Sequence, residues 1–270
     1  MSLPSHCKVV IVGGGVIGCS IAYHLAKLGW TDIVLLERKQ VTSGTTWHAA
    51  GLITTLRDTE AQTKLAKYSL KLYEELEAET GQATGFIKCG SIQLAMDDAK
   101  AEEMRRGTAL ARTFGIENHE ITPKEIQDMW PLAYVDDLVG GFYFPEDGRV
   151  NPADVGQALA KGARQRGVKI FEDTLVTGLI KQNDTAVGVT TEQGEIRADV
   201  VVFSPGMWGR ELGELTGIDI PLQAAEHYYL VSEPIEGVHN MLPILRDPGR
   251  AAYAREEAGK IMLGFFEPVA

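Results

Sequence analysis

The chain has 270 residues, of which 44% are hydrophobic and 23% are charged, the proportions of an ordinary globular protein. Its 26 basic and 37 acidic residues give a formal net charge of −11, which argues against a nucleic acid partner. The three cysteines lack metal-ligand spacing and fit a reducing compartment. No apolar run spans a membrane and no signal peptide is recognisable, so we expect a cytoplasmic protein, or a matrix protein if the source is eukaryotic.

The first predicted elements are a strand, a helix and a second strand in "CKVVIVGGGVIGCSIAYHLAKLGWTDIVLLER". Lys8–Val12 is a short apolar run, as in a buried parallel strand. Val16–Leu28 carries apolar residues at helical spacing, and Ile33–Leu36 is a second apolar run. The order predicts a βαβ unit of a doubly wound sheet.

The turn between that strand and helix has the G-x-G-x-x-G spacing of an adenine dinucleotide site. Gly13 permits the tight turn, Gly15 lets the backbone approach a pyrophosphate, and Gly18 lets the helix pack on the strand. Glu37, at the end of the second strand, is placed to accept hydrogen bonds from a ribose. NAD and FAD share the pyrophosphate and the ribose, so this unit leaves both open.

A polar loop follows where an NAD-binding domain would normally add another strand and helix. Its sequence, "VTSGTTWHAAGL", places Trp47 beside His48. A neutral imidazole is nucleophilic near neutral pH, so His48 is a candidate for attack on an electrophilic cofactor. The alternative is a loop histidine that is bound to a backbone carbonyl.

The segment Ser43–Leu52 resembles the flavin-attachment segment of the FAD-dependent sarcosine and dimethylglycine dehydrogenases, within the D-amino-acid-oxidase-like group. The similarity continues through "GSIQLAM", "LVGGFYFPEDGRVNPADV" and "RADVVVFSPGMW" and so covers nearly the whole chain. It implies an α/β fold with a Rossmann-type FAD-binding domain over 1–85 and 141–222. It also implies an antiparallel-β (α+β) substrate domain over 86–140 and 223–270. Because the chain ends within that domain, we expect it to be truncated at its C-terminus.

The resemblance implies FAD as the cofactor, attached covalently at His48 in the full-length enzyme. By the same resemblance, Val176 contacts the adenine through its backbone, although an ordinary strand valine is the alternative. Thr45 and Thr46 are placed to donate to phosphate or ribityl oxygens. The full set of expected cofactor residues is Gly13, Gly15, Val16, Ile17, Gly18, Glu37, Arg38, Thr45, Thr46, Trp47, His48, Leu52 and Val176.

Two strands are predicted in the last fifth of the chain. Residues 224–233, "AAEHYYLVSE", alternate as a strand, and "AAYAREE" follows further on. The resemblance implies that these strands cover the flavin and that His227 and Tyr253 line the substrate pocket as catalytic residues. Ordinary sheet packing is the alternative for both. Two interpretations are open for Arg255, which is either a surface residue or a residue that binds a carboxylate.

The implied reaction is the oxidative demethylation of an N-methylated glycine, dimethylglycine or sarcosine, by hydride transfer to the flavin. Oxygen or an electron-transfer flavoprotein is the expected electron acceptor. Folate is expected only if a further C-terminal region is present, and no metal, nucleic acid or membrane partner is expected. One alternative is a non-catalytic protein like the regulatory subunit of pyruvate dehydrogenase phosphatase, which resembles the same family but lacks the Trp–His pair. The other alternative is an NAD-linked dehydrogenase.

Overall fold

The computed structural model describes residues 2–267. We number the elements in chain order, and the helices are α1 (Val16–Lys27), α2 (Glu60–Thr80), α3 (Asp98–Thr113), α4 (Pro123–Met129), α5 (Pro152–Gln165) and α6 (Gly209–Thr216). The first strands are β1 (His6–Val12), β2 (Ile33–Leu36), β3 (Leu52–Ile53), β4 (Ser91–Ala95), β5 (His119–Ile121), β6 (Gly140–Phe144), β7 (Gly148–Arg149) and β8 (Lys169–Phe171). The remaining strands are β9 (Val176–Gln182), β10 (Thr185–Thr191), β11 (Gly194–Phe203), β12 (Tyr229–Val231), β13 (Ile244–Asp247), β14 (Ala252–Glu257) and β15 (Lys260–Phe265). None of the helices in this range is long and apolar enough to cross a membrane.

The chain forms two compact units, each assembled from three segments. The first unit contains the chain up to Ala49, Glu75–Thr84 and Asn151–Ala224, and the second contains Ala50–Glu74, Gly85–Val150 and the chain from Ala225 onward. Residues 50–74 and 141–150, which the sequence assigned to the nucleotide-binding domain, therefore belong to the second unit. The reason is long-range pairing, since β3 pairs with β7 and β6 pairs with β4.

The first unit is built on a six-stranded sheet with the order β8-β2-β1-β11-β10-β9. The four strands from β8 to β11 are parallel, and β10 and β9 add an antiparallel hairpin at one edge. Strand β11 is longer than the predicted Asp199–Phe203, because its first half pairs with β10 and its second half pairs with β1. The result is the predicted Rossmann-type α/β architecture.

Helices α1 and α5 pack together in this unit, and a glycine makes their close approach possible. A Cβ at Gly162 of α5 would lie 2.9 Å from the buried ring of Tyr23 on α1. The Tyr23 hydroxyl donates to Glu79 at 2.7 Å, so the only polar atom of this side chain is bonded. Helix α5 begins as predicted, with the Asn151 side chain capping it and Pro152 at its first position.

The second unit is built on a seven-stranded sheet with the order β12-β15-β14-β13-β4-β6-β5. All neighbouring pairs are antiparallel except β4 and β13, which are parallel. The sheet expected to be antiparallel is therefore mixed at one position. Helix α4 carries the predicted capping box, in which Thr122 and Glu125 exchange hydrogen bonds with each other's backbone.

The strand predicted over residues 224–233 is mostly irregular, and only β12 forms within it. Strand β12 lies at the edge of the sheet and pairs with β15, with Tyr229 opposite Gly264. Continued in this register, His227 falls opposite Phe266, beyond the end of β15. The first half of the predicted strand has no partner strand to pair with.

A buried ion pair joins β7 to β14 in the second unit. Glu256 is only 3% exposed and its carboxylate accepts from Arg149 Nη2 and, at 2.8 Å, from the Gly259 backbone N–H. Two charges removed from water are tolerated only while each has its partner. The pair therefore fixes the register between two distant parts of the chain.

We expect Glu256→Gln to lower the free energy of unfolding by about 3–5 kcal/mol, because the Arg149 charge would remain buried without its counter-charge. Urea unfolding followed by circular dichroism measures this. The matched control is Glu236→Gln, at an exposed position in the same unit, where we expect a change below about 0.5 kcal/mol. Equal stability of the two variants would show that the pair contributes nothing.

Candidate functional site

A cleft of about 480 Å³ opens in the first unit at the carboxyl ends of β1, β2 and β11. In doubly wound sheets, ligands bind at this end of the strands. This cleft is lined by many of the residues that were expected to contact the cofactor. They are Gly13, Gly15, Val16, Ile17, Glu37, Arg38, Thr45, Thr46 and Val176. The structure therefore brings the glycine turn, the end of β2 and part of the polar loop to one cavity.

The floor of the cleft depends on two glycines that allow backbone segments to touch. Gly13 has φ +105°, and a Cβ there would lie 2.3 Å from the Ser204 carbonyl oxygen. A Cβ at Gly18 would lie 1.9 Å from the Gly13 carbonyl oxygen. Gly18 does not line the cleft, so its role is to set helix α1 against the turn. The positive end of α1 is thereby directed to the cleft, as an anion site requires.

Glu37 is held at the end of β2 by two backbone donors. Its Oε2 accepts from the Gly14 N–H at 2.7 Å, and its Oε1 accepts from the Lys39 N–H at 2.9 Å. A carboxylate has about four acceptor positions, so acceptor capacity remains on both oxygens. The fixed carboxylate fits the predicted role of binding the hydroxyls of a ribose.

The polar loop is anchored on the start of α1 by Thr46. Helix α1 has no side-chain cap from its own N-cap residue, Gly15, and the Thr46 Oγ1 accepts from the Val16 N–H at 3.0 Å instead. The Thr42 N–H also donates to the Gly14 carbonyl at 2.9 Å. These bonds hold Thr45 and Thr46 in the cleft beside the start of α1.

A stacked pair that the sequence analysis missed forms one wall of the cleft. The Arg38 guanidinium lies 3.7 Å from the centre of the Trp208 ring, and both residues line the cavity. Such cation–π contacts are favourable by about 0.5–2 kcal/mol. The segment "FSPGMW" belongs to a stretch that carries the family resemblance, but no local pattern links Trp208 to a residue 170 positions earlier.

Besides Gly18, three of the expected cofactor residues lie outside this cleft. Trp47 and His48 form a short 3₁₀ turn after Thr45, with ring centres 3.7 Å apart, and Trp47 is 52% exposed. The exposed His48 imidazole has no hydrogen bond or ion pair with another residue of the described range 2–267. Leu52 lies on β3 in the second unit and lines a separate cavity of about 330 Å³.

The second unit brings together the two residues expected to be catalytic. His227 Nε2 lies 3.4 Å from the Tyr253 Oη, and the imidazole stacks on Phe266 with ring centres 4.5 Å apart. Tyr253 is 6% exposed, and burial raises its pKa, so the hydroxyl stays protonated at neutral pH. Arg255 is neither free nor exposed, since it is buried and forms an ion pair with Glu257 at 2.5 Å.

The sequence profile described as "FAD dependent oxidoreductase" matches residues 8–269 of the chain. Among curated proteins, 4-methylaminobutanoate oxidase (formaldehyde-forming) of Paenarthrobacter nicotinovorans is 41% identical over 98% of this chain and 32% of its own length. Mitochondrial sarcosine dehydrogenase of Homo sapiens is 40% identical over 98% of this chain and 29% of its own. The regulatory subunit of pyruvate dehydrogenase phosphatase from Mus musculus is 40% identical over 99% of this chain and 31% of its own.

The fold is similar to that of L-proline dehydrogenase from P. horikoshii, with a TM-score of 0.91 and 27% identity. That match covers 98% of this chain and 71% of the other chain. The chain thus spans about a third of the length of the curated relatives that it matches.

We expect Gly18→Ala to weaken FAD binding about tenfold or more, because the new Cβ would collide with the Gly13 carbonyl and displace α1 from the cleft. The flavin content of the purified protein, read from its absorbance, measures this. Gly107→Ala is the matched control, since Gly107 lies in helix α3 with nothing within 4 Å of the added methyl group. Full flavin content in the Gly18 variant would contradict the role given to this glycine.

Proposed function

Because the chain belongs to the FAD-dependent oxidoreductase family, we propose that its protein oxidises an N-methylated amino acid, with sarcosine or dimethylglycine as the preferred substrate. The methyl group leaves as formaldehyde after the oxidised amine is hydrolysed. The names of two relatives support this substrate class, one as a formaldehyde-forming oxidase of a methylamino acid and one as a sarcosine dehydrogenase. The structural observation that carries the proposal is the contact between His227 and Tyr253.

The cleft of the first unit supplies the cofactor site in this proposal. Glu37 binds the ribose hydroxyls, the N-terminus of α1 binds the pyrophosphate, and the Arg38–Trp208 pair forms a flat wall. When bound, FAD accepts a hydride equivalent from the carbon next to the substrate nitrogen.

The His227–Tyr253 pair holds the amine in the form that can react. A protonated amine has no lone pair to stabilise the developing iminium, so the site has to favour the neutral amine. The protonated Tyr253 hydroxyl donates a hydrogen bond without adding a negative charge, and the His227 imidazole is the adjacent group that exchanges a proton. Phe266 keeps the imidazole ring in place by stacking on it.

His48 is the residue that bonds covalently to the flavin in this proposal. Its imidazole is exposed and has no polar partner within residues 2–267, so a ring nitrogen is available as a nucleophile. The Trp47 ring lies against it, with the ring centres 3.7 Å apart. The resemblance of the segment from Ser43 to Leu52 to the flavin-attachment segment of the family is the second support.

We expect the peptide that spans Val41–Leu52 of the full-length protein to carry the additional mass of the flavin. His48→Ala is expected to leave FAD bound but extractable by acid, with slower amine oxidation. Peptide mass spectrometry and flavin retention after precipitation measure the two effects.

His119→Ala is the matched control for this test, since His119 is an exposed histidine bound to Glu117, and its variant is expected to retain the adduct. An unmodified peptide in an active enzyme would make His48 an ordinary loop histidine. Absence of both flavin and amine oxidation in the full-length protein would instead favour a regulatory role, as in the phosphatase-subunit relative.

We expect His227→Phe and Tyr253→Phe each to slow flavin reduction by N-methylglycines by about 10²–10⁴, the usual contribution of one acid–base group, without release of flavin. Stopped-flow absorbance under anaerobic conditions measures the rate. Tyr134→Phe is the control, because Tyr134 is 71% exposed in the same unit. If both variants keep the original rate, the two residues serve only in sheet packing.

The same proposal includes the acceptor and the place of reaction. Oxygen or an electron-transfer flavoprotein would be the electron acceptor of the bound flavin, and folate would take part only where a further C-terminal region is present. The reaction takes place in the cytoplasm, or in the mitochondrial matrix of a eukaryote, as the mitochondrial sarcosine dehydrogenase relative suggests. Oxygen consumption during turnover distinguishes the two acceptors.

A further inference from the structure

Strand β15 carries a glycine at the position directly beside Tyr253. In the pairing of β14 with β15, Tyr253 lies opposite Gly264, and in the pairing of β12 with β15, Tyr229 lies opposite the same glycine. Residues directly opposite each other in antiparallel strands project to the same face of a sheet. The row therefore places two tyrosines on either side of a residue that has no side chain.

The ring of Tyr253 occupies the space above this glycine. A Cβ added at Gly264 would lie 2.3 Å from Cζ, 2.4 Å from Oη and 2.6 Å from Cε1 of Tyr253. These three atoms form the hydroxyl end of the side chain, so the ring lies across β15 rather than beside it. The hydroxyl is thereby carried towards β12, and His227, two residues before that strand, has its Nε2 3.4 Å from the hydroxyl oxygen.

The backbone of β15 does not itself require a glycine at this position. Gly264 is buried, and its φ lies outside the left-handed region that favours glycine. A glycine weakens the interior of a strand, because it is flexible and has no side chain to pack. Gly90 provides the contrast, since the ring of Tyr143 also covers it but its φ of +79° favours glycine in any case. What the glycine at position 264 permits is the close approach of the Tyr253 ring.

The other ring of the pair rests on the residue that follows Gly264 by two positions. Tyr253 is buried, and its ring centre lies 6.0 Å from that of Phe266, on which the His227 imidazole stacks. The phenol thus crosses β15 where a side chain is absent, and the imidazole packs where a large side chain is present. An aromatic ring over a strand glycine can also serve only to shield the backbone, so this structural explanation is the alternative.

We propose that Gly264 is a positioning residue, which acts through Tyr253 by allowing its hydroxyl to reach His227. This role rests on the proposed function and adds to it the residue that sets the geometry of the proton-exchanging pair. Carbon atoms in contact are about 3.5–4.0 Å apart, so a methyl group at position 264 would displace the end of the ring by about 1 Å or more. The contact between His227 and Tyr253 is already 3.4 Å long, and such a displacement would break it.

The test compares Gly264→Ala and Tyr253→Phe, singly and combined, in the full-length, flavin-loaded protein. We expect Gly264→Ala to slow flavin reduction by N-methylglycines at least about tenfold, towards the loss expected for Tyr253→Phe. In the Tyr253→Phe background, which keeps the ring but has no hydroxyl, the added methyl group is expected to change the rate less than about twofold. The loss of stability in urea is expected to be equal in both backgrounds, because the ring is present in each.

Two readouts do not depend on the size of the rate. A crystal structure of the Gly264→Ala protein is expected to show the Tyr253 hydroxyl oxygen more than about 4 Å from His227 Nε2. The pH profile of the reduction rate is expected to match that of Tyr253→Phe, which a loss of stability alone would not produce. Gly107→Ala, on helix α3, adds a methyl group with nothing within 4 Å and is expected to behave like the original protein.

A further double variant keeps the test decisive if Gly264→Ala alone does not fold. Tyr253→Leu removes the ring that the new methyl group would meet. The combination of Gly264→Ala with Tyr253→Leu is then expected to fold and to reduce its flavin as fast as Tyr253→Leu alone. A slower rate in the combination would mean that Gly264 acts on something other than Tyr253, and it would overturn the proposal.

The outcomes separate the role of Gly264 from the function on which it rests. If N-methylglycines do not reduce the flavin of the original protein but the pair is parted in the crystal structure of Gly264→Ala, the positioning role stands and the proposed reaction fails. If Tyr253→Phe slows the reaction while Gly264→Ala reacts at the original rate, the reaction stands and the role of Gly264 is overturned. Equal losses of rate from Gly264→Ala with and without the Tyr253 hydroxyl would leave the glycine with sheet packing alone.

Discussion

The contact between the turn after β1 and the end of β11 is the constraint on which the first unit depends. The Ser204 N–H and hydroxyl both donate to the Val12 carbonyl, at 2.8 and 3.0 Å. A side chain at Gly13 would occupy the same space as the Ser204 carbonyl. Because these two strand ends are fixed against each other, the start of α1 and the bond from Gly14 to Glu37 have a defined position, and with them the whole floor of the cleft.

The charged groups of the two units follow a common pattern of hydrogen bonding and ion pairing. In structural positions, charges are paired and buried, as Arg149 and Glu256 are, or they are bonded by several donors, as Asp147 is. The carboxylate of Glu37 keeps spare acceptor capacity, and it lies where a ligand is proposed. Unsatisfied capacity is costly in a folded protein, so its presence at such positions is informative about function.

The parts of the fold that follow from local chemistry were predictable. Helix α4 begins at the capping box of Thr122 and Glu125, and α5 begins at Asn151 and Pro152, because a cap needs only residues within one turn. The glycine turn and Glu37 also lie within one short βαβ unit, which is why their place at the cleft could be expected from sequence. The family resemblance extended this to the whole chain.

The parts that depend on distant partners were not predictable in this way. The strand expected over residues 224–233 is shorter because β15, its partner, ends at Phe265. The β4–β13 pair is parallel, and it joins residues about 150 positions apart. Arg246 shares a face with Tyr253 only through the register of the β13–β14 pair, and Trp208 meets Arg38 only after the sheet has formed. None of these contacts can be recognised from the sequence of a few neighbouring residues.

The interleaving of the two units determines when each can form during synthesis on the ribosome. The chain passes between the units at five points. One side of β1 has no strand to pair with until β11 has emerged, almost two hundred residues later. Closing such long loops is entropically costly and slow, and in the meantime an apolar strand remains exposed. The sheet of the first unit has all its strands once β11 has emerged to Phe203, whereas that of the second unit also needs β15, which ends at Phe265.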